Sequence, residues 1–215
     1  MDIKWLGHAG FLIESGKTIY IDPYDITKEG LKKADIVLIT HSHYDHCSPK
    51  DIEKIATAET TIIIPKDCKE KIKDFFPDNN IIAMSPFETR EISGIRIKTV
   101  PAYNINKEFH KRENNWLGYI VKIGNEKVYH AGDTDFIPEM KALGDENIDY
   151  ALLPVAGTYT MDAEEAAKAT EAIVPAVAIP MHYGKIIGDI VDAEKFQDLA
   201  ACEVKILHNI QEINE

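Results

Sequence analysis

Cysteine is scarce: Cys47, Cys68 and Cys202 are the only three in 215 residues, odd in number and far apart. A disulfide framework is excluded on that count, and a reducing compartment, the cytoplasm, is the expected location. Long apolar runs are missing too. No stretch approaches the length of a membrane span, and Lys4 and His8 interrupt the apolar residues of segment 1–15, unlike the core of a secretory signal. Basic residues are in the minority, 24 against 36 acidic, giving a formal net charge of −12. Such a surface repels phosphate backbones, so no nucleic-acid partner is expected. A small phosphate ester in a metal-lined cleft is still admissible, because bound cations dominate the local field. No Ser/Gly-rich stretch or single-sign charge run divides the chain, and residues 1–215 read as one domain. The composition is otherwise ordinary, 45% hydrophobic and 28% charged, enough for a core without disulfides. A homo-oligomer is compatible with it.

The order of elements repeats. Gly10 to Ser15 and Thr18 to Ile21 read as a hairpin turning at Gly16-Lys17. Ile36 to Ile39 has the unbroken apolar character of a strand buried on both faces. Ser48-Pro49, with Asp51 in the first turn, begins a helix. Thr61 to Ile64 is a strand, Pro65 to Phe76 a helix stopped by Pro77-Asp78-Asn79-Asn80, and Ile81 to Met84 and Ile95 to Val100 are strands. The second half follows suit. Leu117 to Ile123 and Lys127 to His130 form a hairpin at Gly124-Asn125, and a short helix starts at Pro138. Tyr150 to Pro154 is a buried strand, and Asp162 to Ile173 is a helix with Asp162 as its N-cap. Val177 to Pro180, a helix over Asp192 to Ala200 and a strand over Val204 to Leu207 complete it. Two such copies fit an α/β fold, a four-layer αβ/βα sandwich of two mixed sheets with helices outside.

Histidine is concentrated where the first buried strand ends. His41, His43, Asp45 and His46 lie within six positions, and imidazole and carboxylate are the usual ligands of zinc and similar borderline metals. Alternate residues of a loop leaving a strand can converge on one ion, so His41 and His43 suit one metal while Asp45 and His46 point to a second. Asp133, after the strand ending at His130, and His182, after Val177 to Pro180, recur at strand ends, where sites on such sheets are built. His130, inside an alternating strand, reads as structural. His208 reads as surface, and Cys47 as a small buried hydrophobe. Trp116, Tyr159 and Tyr183 flank these loops as pocket or core aromatics.

His41-x-His43-x-Asp45-His46, the Gly132-Asp133 loop and the late His182 resemble the metallo-β-lactamase superfamily. Trp5-Leu6-Gly7-His8-Ala9, Tyr129-His130-Ala131-Gly132-Asp133-Thr134 and Pro180-Met181-His182-Tyr183-Gly184 are similar to its small single-domain branch of metal-dependent hydrolases. The ascorbate-lactonase and N-acyl-phosphatidylethanolamine phospholipase groups belong to the same neighbourhood. The resemblance assigns His41 and His43 to one metal, Asp45, His46 and His182 to the other, and Asp133 as the bridge. It also implies a third histidine for the first metal after Ile95 to Val100. That loop reads Val100-Pro101-Ala102-Tyr103-Asn104 without one. His110 is then the expected ligand, with Asn104, a water or an incomplete site as alternatives. His8 falls near the metals, orienting a ligand or touching substrate, or as a core histidine bonded to backbone. Tyr183 belongs to the same outer group.

The implied cofactors are two divalent ions, zinc first, manganese or iron otherwise. Such a pair holds water as hydroxide near neutral pH, lowering its pKa from about 16 towards 7. With help from the catalytic carboxylates Asp45 and Asp133, the hydroxide would attack a carbonyl or phosphoryl centre. The expected activity is hydrolysis of an ester, lactone or phosphodiester bond in a small molecule. No Ser/His/Asp arrangement or Gly-rich phosphate loop competes with this. His43 stands where diiron electron-transfer relatives have Glu. The chain leaves no room for the inserted domain of RNA-processing relatives. The rival is a non-catalytic metal-binding or sensing module that kept the fold.

Overall fold

Each half of the chain builds a sheet by the same route, antiparallel hairpins followed by parallel strands made from short, wholly apolar runs. The structure, a computed structural model, describes residues 1–77 and 80–212. It divides into two units: residues 1–85 with the segment from His208, and residues 86–207.

The first unit contains β1 (Asp2–Gly7), β2 (Gly10–Glu14), β3 (Thr18–Ile21), β4 (Ile36–Leu38), β5 (Thr61–Pro65) and β6 (Ile81–Met84), in that spatial order. Strands β1 to β3 form an antiparallel meander and β3 to β6 are parallel. β1, β3 and β4 therefore point the same way and end on one edge of the sheet. Helix α1 (Pro49–Ile55) starts at Ser48 with Pro49 in its first turn, as expected. Its Ile52 and Ile55 join Leu12, Val37, Ile62 and Ile64 in one apolar cluster. The helix expected over Pro65 to Phe76 is shorter. A 3-10 turn, Lys66–Cys68, leads into the single turn of α2 (Lys69–Ile72). Only Cys68 and Ile72 are buried there and Phe75 is exposed, so no apolar face continues the helix. Asp78 and Asn79 of the expected stop lie outside the described residues. The C-terminal segment returns to β1: Ile210 N donates to Trp5 O (3.0 Å) and Gln211 Nε2 to Leu6 O (2.5 Å). Gly7 permits this approach, since its φ is +95° and a Cβ there would lie 2.9 Å from Asn209.

The second unit contains β7 (Thr89–Ile92), β8 (Ile95–Pro101), β9 (Leu117–Ile123), β10 (Glu126–His130), β11 (Tyr150–Pro154), β12 (Val177–Met181) and β13 (Glu203–Val204), ordered β13-β12-β11-β10-β9-β8-β7. β7 to β10 form the meander and β10 to β13 are parallel. β8, β10, β11 and β12 thus run in one direction. β7 was not legible in the sequence; it pairs with β8 through a hairpin in which Ser93 and Gly94 both have positive φ. Helix α3 (Ala163–Ile173) has the expected cap, completed as a capping box by Glu165. Helix α4 (Ile190–Leu199) is capped by Asp189, three residues before the expected start, because exposed Ile190 and Val191 carry no core-facing period. The short helix from Pro138 is a 3-10 helix, Pro138–Glu146. Of the last expected strand, Val204 to Leu207, only Val204 belongs to β13, which starts one residue earlier at Glu203. Among the described residues no helix is long and apolar enough to cross a membrane.

Asp51, nearly buried in the first turn of α1, ties the chain after β3 to the helix. Oδ2 accepts from Asp25 N (2.9 Å) and Ser48 Oγ (2.7 Å), and Oδ1 from Ile26 N (3.0 Å) and Lys54 Nζ (2.8 Å). Burial alone would raise its pKa, but Lys54, Ser48 and the two amides together hold it below the usual carboxylate value. A carboxyl depressed in the folded state stabilises above its unfolded pKa of about 3.9, and that stability is lost as pH falls through the lower folded value. Asp51→Asn should therefore cost about 1–2 kcal/mol at pH 7 in denaturant unfolding. The gap to wild type should close as pH drops below about 4; a gap constant down to pH 3 would show that the charge is not what stabilises.

Candidate metal centre

In the first unit, three strand exits converge on one group of side chains. Asp22 leaves β3 with φ +45° and no exposed surface. Its Oδ1 accepts from Thr40 N (2.8 Å), and its Oδ2 accepts from Thr40 Oγ1 (2.6 Å) and His46 Nδ1 (2.7 Å). Thr40 has given its only hydroxyl hydrogen to Asp22, so at 2.9 Å it accepts from His41 Nδ1. Both rings therefore carry the proton on Nδ1, which leaves Nε2 as a lone-pair donor, the form that binds metals. His41 Nε2 lies 3.1 Å from His43 Nδ1, and His46 Nε2 lies 3.6 Å from Asp45 Oδ2. The turn between them is closed by amides of His46 and Cys47 donating to His43 O. Lys71 of α2 donates to Ser42 O and braces the loop from outside. His8, at the exit of β1 with φ +50°, sets Nε2 2.9 Å from Asp45 Oδ2.

In the second unit, Asn104, Asp133 and His182 follow β8, β10 and β12, whose carboxyl ends share an edge. Asp133 Oδ2 lies 2.9 Å from His182 Nε2 and 3.2 Å from His110 Nε2. Asn104 is not on Asp133 but behind His110. Its Oδ1 accepts from His110 N (3.0 Å) and faces His110 Nδ1 (3.0 Å), while Tyr159 O lies 3.1 Å from that same nitrogen. Both neighbours are acceptors, so Nδ1 carries the proton and Nε2 turns its lone pair towards the Asp133 carboxylate. Two acceptors at that distance require a cation or a proton between them, and the donor set of imidazole and carboxylate fits a divalent metal. Asp135, buried and not anticipated, accepts from Asn104 Nδ2 (3.0 Å), Ile105 N (2.8 Å) and Lys107 Nζ (2.5 Å). His130 accepts from Gly132 N (3.1 Å) and steadies the Asp133 loop, the structural role expected of it. Trp116 and Tyr183 are buried, and burial pushes the Tyr183 hydroxyl up to about 12. His208 is exposed, and Cys47 is buried.

Asp22 and Asp135 are the functional-type residues that the sequence reading missed. Asp22 had a signal, its position directly after an apolar strand, but Asp22-Pro23 reads equally well as a turn.

The family described as the beta-lactamase superfamily domain matches residues 2–182. The chain belongs to that superfamily. Within it, a UPF0173 metal-dependent hydrolase of Pyrococcus abyssi is 35% identical, with 95% of this chain and 94% of the relative covered. One from Thermococcus kodakarensis is 37% identical, with 98% of each covered. The chain is thus a UPF0173 family member. A solved structure from Parabacteroides distasonis superposes with a TM-score of 0.84 at 32% identity, covering 96% of this chain and 93% of the other. A metallo hydrolase from Ignicoccus hospitalis gives 0.79 at 26%, covering 96% and 94%. The α/β metallo-β-lactamase fold of two mixed sheets with helices, expected from the sequence, is the fold of this superfamily member.

The hydrogen-bond network predicts Nδ1–H tautomers for His41, His46 and His110. Long-range ¹H–¹⁵N correlation spectra of metal-free protein near pH 8 should show them, and Asn104→Ala should move His110 alone towards Nε2–H. An Nε2–H signal for His110 in the wild type would contradict the assignment.

Proposed function

We propose that the chain is a metal-dependent hydrolase that cleaves an ester, lactone or phosphodiester bond in a small molecule, acting as one domain in the cytoplasm. The observation that carries this reading is the locking of imidazole Nε2 lone pairs by buried acceptors at strand exits in both units. Such outer partners are what fix metal-ligating histidines. The residues we assign to two divalent cations, zinc or otherwise manganese or iron, are His41, His43, Asp45, His46, His110, Asp133 and His182. Cations bound there would polarise the scissile oxygen and lower the pKa of a water towards 7.

The remaining work falls to the chain's own groups. Asp22 and Thr40 hold His41 and His46 in the binding tautomer, and Asn104 does the same for His110. Asp45 and Asp133 are assigned the proton of the attacking water, with His8 Nε2 holding Asp45 Oδ2. The family description runs unbroken over residues 2–182, which supports one catalytic domain. Three cysteines, all as free thiols, support a reducing compartment. The rival, a non-catalytic module, rested on the missing histidine after Val100. That argument is weakened by His110, whose Nε2 faces Asp133.

Purified protein should contain about two metals per chain by elemental analysis, and should turn over p-nitrophenyl esters or bis-p-nitrophenyl phosphate. Chelation should abolish turnover and added zinc or manganese should restore it. His43→Ala should lower metal content and reduce kcat/KM at least about 100-fold, or about 3 kcal/mol. Full activity in the metal-depleted variant would sink the mechanism, and two bound metals without turnover of either substrate class would favour the module.

A further inference from the structure

The second unit carries a concentration of positive charge remote from its histidines. Arg96, Lys98, Lys122 and Lys127 line a cavity of about 230 Å³, with Thr89, Ile120 and Glu146 completing its wall. Four cations gather there in a chain whose net charge is −12, so the patch stands against the field of the whole molecule. Sheet register explains how. Lys122 of β9 lies directly opposite Arg96 of β8 on one side and Lys127 of β10 on the other. Like charges directly opposite across strands are destabilising, and here three stand in one row.

Glu146 neutralises only part of this. Its Oε1 is 2.5 Å from Lys98 Nζ and its Oε2 3.2 Å from Lys127 Nζ. It shows how an anion is gripped there, by two ammonium groups on its two oxygens. Glu91 lies opposite Arg96 in the register, yet among the described residues neither Arg96 nor Lys122 makes a side-chain ion pair. Their charges are left for something else.

We propose that this face binds a small polyphosphate anion of pyrophosphate size. Adjacent strands are about 4.8 Å apart, so the row spans about 10 Å, a fit for two linked phosphoryl groups. The cavity is smaller than the roughly 300–1,000 Å³ of drug-sized sites, which argues against a whole nucleotide inside it. Arg96 would take one phosphoryl group through its planar fork, and Lys122 would sit between the two as a point charge. Lys127 lies near the amino end of β10, whereas Asp133 follows the carboxyl end. The strand puts about 10 Å or more between the two, and the inference does not depend on the proposed hydrolase reading.

The test is calorimetric titration of the full chain with sodium pyrophosphate at fixed ionic strength, using wild type, Arg96→Gln/Lys122→Gln and His182→Ala. Saturable binding in wild type should persist in His182→Ala and weaken at least about tenfold in the double variant, with inorganic phosphate binding more weakly than pyrophosphate. Among the described residues the double variant removes no side-chain ion pair, and thermal unfolding should show it as stable as wild type or more so; each single glutamine variant provides the same reading should the double one misfold. No saturable binding, or binding unchanged by the glutamines, overturns the proposal. Loss of binding in His182→Ala alone also overturns it, by placing the anion at the candidate metal centre.

Discussion

Asp22 has no exposed surface, and a carboxylate there is tolerable only because three donors converge on it, Thr40 N, Thr40 Oγ1 and His46 Nδ1. The consequence passes outward one proton at a time. With its hydroxyl hydrogen committed to Asp22, Thr40 can only accept from His41. With Nδ1 committed to Asp22, His46 can present only Nε2 outward. One buried charge thus sets the chemical state of two imidazoles in the first unit. The second unit reaches the same end with neutral acceptors, the Asn104 amide and the Tyr159 carbonyl behind His110.

These arrangements sit where the backbone is forced into an unusual shape. His8, Asp22 and His182 all have φ between +45° and +60°, a region that non-glycine residues adopt rarely and at a cost of about 1 kcal/mol or more. Each directly follows the last residue of a strand. The sheets over-determine these exits, and the strain turns a side chain inward that a relaxed extended residue would send elsewhere.

Most strands were legible because their runs are short, apolar and β-branched, as in Ile36 to Ile39 or Thr61 to Ile64. Helix starts were legible where a cap residue and an acidic first turn coincide, as at Asp162. The His41 to His46 cluster stood out by density alone. What was hidden has a common cause, in that it depends on a partner distant in sequence. β7 is polar and mostly exposed, and exists because β8 pairs with it. α2 stops after one turn because nothing apolar waits for Phe75. Asp22 looks like any turn aspartate until Thr40 and His46 are folded beside it, and Asn104 looks like a substitute ligand until His110 returns to it six residues later.

The return of residues 209–211 to β1 also has a meaning in time. β1 is an outer strand of its sheet, and Trp5 bridges to Asn209 on its open side. A ribosome delivers β1 before this neighbour, with about 200 residues between them, so at 5–20 residues per second the nascent sheet waits about 10–40 s with one flank bare. Through that interval an unpaired row of amides and carbonyls is open to any passing strand. The segment that closes this seam, residues 209–211, docks on the strand that leads directly into His8.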